Sequence, residues 1–290
     1  MLVGAVFPHA AVEPTTQDVR HFARAVEDLG YTHLLAYDHV LGADPEHHAP
    51  WDRAYDISSS FHELFVLFGF LAATTSLELV SGVLVLPQRQ TALVAKQAAQ
   101  VELLAPGRLR LGVGVGWNHV EYEALGQQFG ARGRRMEEQI TLLRRLWSEP
   151  VVTFHGDHDT VTAAGIRPRP ARTIPIWLGG RSAPAYRRIG RLADGWIPEM
   201  QPGPELDDAR AVIAQSAAEA GRDVAAIGMH ARLPWTEDAD ELRAGFERWR
   251  AEGATHLSVN TLRSGPTTMS EHLDALTDAA AVLGPAPEHG

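Results

Sequence analysis

The chain has 290 residues, 36 acidic against 26 basic for a formal charge of -10, with 14 His and no Cys. Nucleic-acid binding needs a basic stripe to release phosphate counterions, so that balance argues against it, and the missing thiols exclude disulfide frameworks, cysteine nucleophiles, Cys-ligated zinc and iron-sulfur clusters. A small-molecule partner is expected, and the length suits one α/β barrel.

The start, MLVGAVFP, carries no positive charge and meets Pro8 early, which is unlike a secretory signal. The longest strongly apolar run, Leu64 to Ala73, is about half the ~20 residues of a membrane span. A soluble cytoplasmic protein is expected. Lys96 is the only Lys, so any lysine Schiff base would have to use it.

Short apolar runs alternate with amphipathic ones along the whole chain. Leu2 to Phe7 reads as a first strand, Thr15 to Leu29 as a helix stopped by Gly30, and His33 to Tyr37 as a second strand. A Pro-, His- and Asp-rich loop, Gly42 to Asp56, precedes a helix over 60–75 and a third strand from Glu78 to Leu86. Thr91 to Leu104 is helical, Arg108 to Val115 is strand four, and two helices follow over 121–128 and 132–147. Val151 to Pro170 breaks the alternation and reads as an inserted hairpin or excursion. Strands five to eight are Ile174 to Leu178, Gly195 to Pro198, Ile227 to Leu233 and His256 to Asn260, with helices over 183–192, 205–220, 238–252 and 270–283. Eight strands, each followed by helix, read as a (β/α)8 TIM barrel with loop insertions in one domain, the tail 284–290 being frayed. The competing doubly wound sheet wants a glycine-rich turn after strand one, where this chain has Pro8-His9-Ala10.

A barrel of this kind places its chemistry at the C-terminal ends of the strands. Those ends carry His9, Asp38-His39, Gln88-Arg89, Gly116-Trp117-Asn118, Gly179 to Ser182, Glu199, Arg232 and Asn260, a set poor in carboxylates that suits a planar ligand better than a metal. Gly179-Gly180-Arg181-Ser182 opens a helix, where glycines permit close approach, Ser182 can cap, and free N–H groups attract a phosphate. The glycines of Gly112-Val113-Gly114-Val115-Gly116 mark a place crowded by another backbone or a ligand, and room for a flat ring is the preferred reading. His39 is the candidate acid or base. Gln88, Asn118 and Arg232 are candidate substrate contacts, with Trp51 on a loop that can exclude water.

Ala36-Tyr37-Asp38-His39, Ser81 to Pro87, Gly107 to Trp117, Ile176 to Gly180 and Ala193-Asp194-Gly195-Trp196 occur in this order. With these motifs the chain resembles the bacterial-luciferase-like superfamily over residues 1 to about 283, and within it the branch dependent on coenzyme F420, a deazaflavin. The resemblance implies a homodimeric oxidoreductase that moves a hydride between the deazaflavin and a small organic substrate. FMN, with oxygen as co-substrate, is the alternative, and a non-catalytic cofactor-binding barrel is another. It also implies a non-prolyl cis bond between Gly82 and Val83 behind the ring, with Val85, Gly116 and Trp117 beside it. Gly179 to Ser182 would serve as phosphate loop, and Asp38 and His39 would contact the deazaflavin. The sugar-phosphate dehydrogenases of the branch carry a Glu where this chain has Trp117, which puts a paired His and Glu in doubt and makes an apolar or conjugated substrate more natural.

Overall fold

In the computed structural model, which describes residues 1–9 and 12–284, the chain closes an eight-stranded parallel barrel. Its strands are β1 (Leu2–Val6), β2 (His33–Ala36), β3 (Glu78–Ser81) continued by β4 (Leu84–Val85), β5 (Leu109–Gly114), β8 (Ile176–Gly179), β9 (Gly195–Ile197), β10 (Gly228–Pro234) and β11 (His256–Asn260). Pairing of β1 with β11 and of β3 with β5 completes the ring. The antiparallel hairpin β6 (Val152–His155) and β7 (Thr160–Ala164) lies outside it, within the stretch expected as an insertion. The tail read as frayed lies outside the described residues from 285 onward.

The helices are α1 (Thr16–Asp28), α2 (Leu64–Ala72), α3 (Thr91–Leu104), α4 (His119–Ala124), α5 (Arg132–Ser148), α6 (Ala183–Leu192), α7 (Pro204–Glu219), α8 (Ala239–Ala251) and α9 (Met269–Leu283). Local chemistry sets their starts. Thr15 and Asp18 form a capping box for α1, as Thr268 and Glu271 do for α9. Two starts differ from the sequence reading. The helix expected over 60–75 begins only at Leu64, because Glu63 caps it by accepting from Val66 N at 2.8 Å. The helix expected over 121–128 spans 119–124, because the Asn118 side chain accepts from Val120 N at 3.1 Å.

Strands buried on both faces carry near-continuous apolar runs, and all of β2 and β5 is buried. The lumen is layered. Toward the strand starts it is polar: His33, Arg110, His230 and Ser258 meet there, with Arg110 bonded to Glu78 at 2.6 Å. Above this lie Val6, Leu35 and Val80, and then Tyr37 and Leu262.

Arginines close the opposite face of the barrel. Arg108 donates to the Ala72, Thr75 and Leu77 carbonyls after α2, Arg169 to Ser148 O after α5, and Arg144 and Arg222 to Leu192 O and Gly190 O at the end of α6. Each fork satisfies carbonyls that a helix end leaves unpaired, a task for which the point charge of Lys is poorly shaped. Among the described residues no helix is long and apolar enough to cross a membrane, and no group of three or more His, Asp or Glu could hold a metal ion.

Candidate active site

His39 follows β2 at the barrel mouth, with 11% of its side chain exposed. Its Nδ1 faces both oxygens of the Glu121 carboxylate at 3.2 Å. A carboxylate only accepts, so the shared proton sits on Nδ1, and Nε2 is left for another partner. Glu121 is itself fixed by donors: Val40 N at 2.6 Å, Leu41 N at 3.2 Å and Gln88 Nε2 at 3.1 Å. Burial pushes the Glu121 carboxyl up, but the bonds from His39, Gln88 and Val40 outweigh it and hold the group below its ordinary value. The sequence reading has no acid for His39 because Trp117 occupies the position after the strand-four glycines. The acid comes instead from the first turn of α4, on which the Asn118 cap turns Glu121 inward.

Asp38, expected as a cofactor contact, is engaged on both oxygens within the protein. Its Oδ2 accepts from Val85 N at 2.9 Å and its Oδ1 from Arg89 Nη2 at 2.7 Å, and Arg89 also holds Glu63 at 2.9 Å. The carboxylate therefore ties β4 to the end of β2. The bond between Gly82 and Val83 is cis, as expected. The glycines of β5 answer to the segment that follows it. A Cβ on Gly114 would meet Val83 Cγ2 at 2.5 Å, one on Gly116 would meet Val85 Cγ1 at 2.6 Å, and one on Gly112 would meet the Ser81 carbonyl oxygen at 2.0 Å. The glycines therefore admit the segment from Ser81 to Val85, the other-backbone crowding that the sequence also allowed.

Gly179 ends β8, Gly180 follows at φ 146°, and Ser182 caps α6 by accepting from Ala185 N at 3.4 Å. Arg181, expected as part of the phosphate loop, is bound through Nε and Nη2 to both oxygens of Glu205 at 2.6 Å. A cleft of about 440 Å³ opens beside it, lined by Arg181, Glu199, Gln201, Gly203 and Glu205 among others.

The loop between β2 and α2 covers His39. The His39 ring lies 4.8 Å from Phe61, 5.3 Å from Trp117 and 5.5 Å from Tyr55, and Trp51 packs on Trp117 at 5.7 Å. Arg263, after β11, stacks 4.9 Å over Tyr55 and donates to Ala54 O, pinning the loop across the mouth. The cavity left under it is about 10 Å³. Gln88 and Asn118, candidates for substrate contact, are buried and turned to Glu121 and to Leu41 O. Arg232 points the same way as His230, into the lumen but nearer the mouth, and donates to Pro198 O at 3.3 Å. His9, Tyr55, Phe61 and Glu121 also border the mouth. Only His9 shows in the sequence as a strand-end residue.

A model of the luciferase-like monooxygenase family matches residues 2–289. A protein of Mycobacterium tuberculosis, described as uncharacterised, is 35% identical over 69% of this chain and 71% of its own length. The F420-dependent hydroxymycolic acid dehydrogenase of the same organism is 31% identical over 80% of this chain and 61% of its own. Among solved structures, an F420-dependent secondary alcohol dehydrogenase in complex with an F420-acetone adduct superposes with a TM-score of 0.79 at 16% identity, covering 98% of this chain and 99% of that one.

Proposed function

Since this chain belongs to the luciferase-like monooxygenase family, we infer that it is a coenzyme F420-dependent oxidoreductase acting on a small organic substrate, with His39 as proton donor or acceptor. The observation that carries this reading is the pair of His39 Nδ1 and Glu121 at 3.2 Å on the strand-end face. When bound, the deazaflavin supplies or takes up the hydride. Glu121 fixes the His39 tautomer, leaving Nε2 to exchange a proton with the substrate oxygen, and the aromatic loop excludes water from that exchange.

The mouth fits such a cofactor in two respects. The cleft of about 440 Å³ bordered by Arg181 and by residues 199–205 leaves room beside the Gly179 to Ser182 turn for a phosphate-bearing chain. Val83 and Val85, held by Asp38 and the β5 glycines, form an apolar shelf against which a flat ring can lie. Two F420-dependent dehydrogenases among its relatives and structural neighbours support the choice of cofactor. The same reading includes a cytoplasmic location and a homodimer. Val66 on α2 is 73% exposed and Leu93 and Leu104 on the neighbouring α3 are 51% and 54% exposed, an apolar strip that a second copy would cover.

The test is titration of the protein with coenzyme F420 and with FMN, followed by cofactor fluorescence. Micromolar binding of F420 and turnover lost in His39→Ala are expected. Binding of FMN alone, or turnover untouched in His39→Ala, would overturn the reading.

A further inference from the structure

The mouth has two unlike walls. One is the Val83, Val85 and glycine shelf. The other, at the ends of β1, β2 and β10, carries two polar groups that the protein itself leaves unmatched.

His9 is 0% exposed, yet neither ring nitrogen has a hydrogen-bond partner among the described residues. It stands edge-on to Phe61 at 4.8 Å, which in turn touches His39 at 4.8 Å, and it lies 6.4 Å from Tyr37. Burial, with His62 and His39 nearby, pushes the His9 imidazole down to about 3, so it is neutral and offers one N–H donor. A buried imidazole with both nitrogens unanswered is costly unless something else meets it.

The second group is Arg232, whose guanidinium lies 6.0 Å over the Tyr37 ring. Arg89, Arg110, Arg172 and Arg188 are each matched to a carboxylate at 2.7, 2.6, 2.8 and 3.0 Å. Arg232 has no ion pair among the described residues and donates to Pro198 O at 3.3 Å. Burial disfavours its charge, while the Tyr37 hydroxyl and then, from beyond ion-pair distance, Glu199 favour it. A partly buried cation with no carboxylate partner, flanking the same Tyr37 ring as a buried imidazole with no partner among the described residues, marks a receptor for an anionic oxygen.

We propose that Arg232 and His9 bind a carboxylate, or an equivalent acidic oxygen, on the substrate, whose flat or apolar body lies among Trp117, Tyr55 and Phe61. The substrate is then an amphiphilic acid. This rests on the oxidoreductase reading only in calling the ligand a substrate.

Benzoate and benzamide, equal in shape and differing in charge, are the probes, titrated calorimetrically into the F420-loaded protein. Benzoate is expected to bind at least roughly ten-fold tighter, the scale of one charge-assisted hydrogen bond. Arg232→Met should abolish that preference, Arg232→Lys should keep part of it, and His9→Phe should weaken benzoate several-fold while F420 affinity stays unchanged. Equal binding of the two probes by the parent protein overturns the proposal, as does an intact preference in Arg232→Met. Loss of F420 affinity in Arg232→Met with no preference in the parent protein would assign the cation to the cofactor instead. Should Arg232→Met not fold, the parent comparison and Arg232→Lys decide. Repeated on the cofactor-free protein, benzoate selectivity without any binding of F420 would sink the F420 reading and leave the anion site standing.

Discussion

Glu121 holds His39 through Nδ1 with both carboxylate oxygens at 3.2 Å, while Val40 N donates to the same carboxylate at 2.6 Å. The acid therefore sets both the tautomer of the imidazole and the path of the chain leaving β2. Glu121→Gln keeps the shape but brings an N–H that competes with the Nδ1 proton. Turnover should fall by about 10²- to 10⁴-fold, the range of general acid-base catalysis, with F420 affinity little changed. Single-turnover rates beside a cofactor titration check this, and an unchanged rate would remove Glu121 from proton management.

Asp38 and Arg89 make a second prediction, about stability. Asp38 is 1% and Arg89 13% exposed, so Asp38→Ala leaves the Val85 N–H unanswered and a buried cation half matched. A loss of about 3–5 kcal/mol is expected in urea unfolding. Glu63→Gln, which keeps an oxygen to cap α2 and removes only the charge of the 38% exposed partner of the same guanidinium, should cost below about 1 kcal/mol. Similar losses for the two would contradict the buried role of Asp38.

Gly114 and Val83 make a third. A Cβ at 114 lies 2.5 Å from Val83 Cγ2, so Gly114→Ala should destabilise by about 1–3 kcal/mol through overpacking. Val83→Ala removes the colliding methyl, and the double variant should regain much of the loss. Strict additivity would place the crowding elsewhere.

The fourth concerns acid. Burial is the largest cause lowering His9 and His256 to about 3, His272 to about 4, and His33 and His230 well below the usual range. Arg110 reinforces the effect on His33, His230 and His256. These imidazoles are neutral in the folded chain and titrate near 6.5 when it unfolds, so the unfolded state binds more protons below that pH. Stability is full above about 6.5 and falls as pH drops, each group adding up to about 1.4 kcal/mol per pH unit until its folded value is reached. Urea midpoints between pH 7.5 and 4.5 should slide steeply, and less so in His272→Asn. A flat profile would refute the assignment.

The barrel was legible because alternation of short apolar strands with amphipathic helices is a repeated signal, and strand ends such as Asp38-His39 and Gly179-Gly180 fall where that topology puts chemistry. Glu121 was not legible. Its inward turn depends on Asn118 starting α4 before the periodic stretch, a cap that the expected helix start at Glu121 leaves outside. Nor did the sequence distinguish glycines that admit a ligand from glycines that admit Val83, since both demand the same missing Cβ. Asp38 shows the same limit, because its engagement by Val85 N and Arg89 is tertiary.

The loop pinned by Arg263 leaves a cavity of about 10 Å³ beside His39, too small for any ring system. Ligand entry is then preceded by release of Tyr55 and Trp51, and the observed association rate has a ceiling. As ligand concentration rises the rate levels off at the frequency with which the loop opens, independent of which molecule waits outside. Chemically unlike compounds would share one limiting rate while differing in how long they stay.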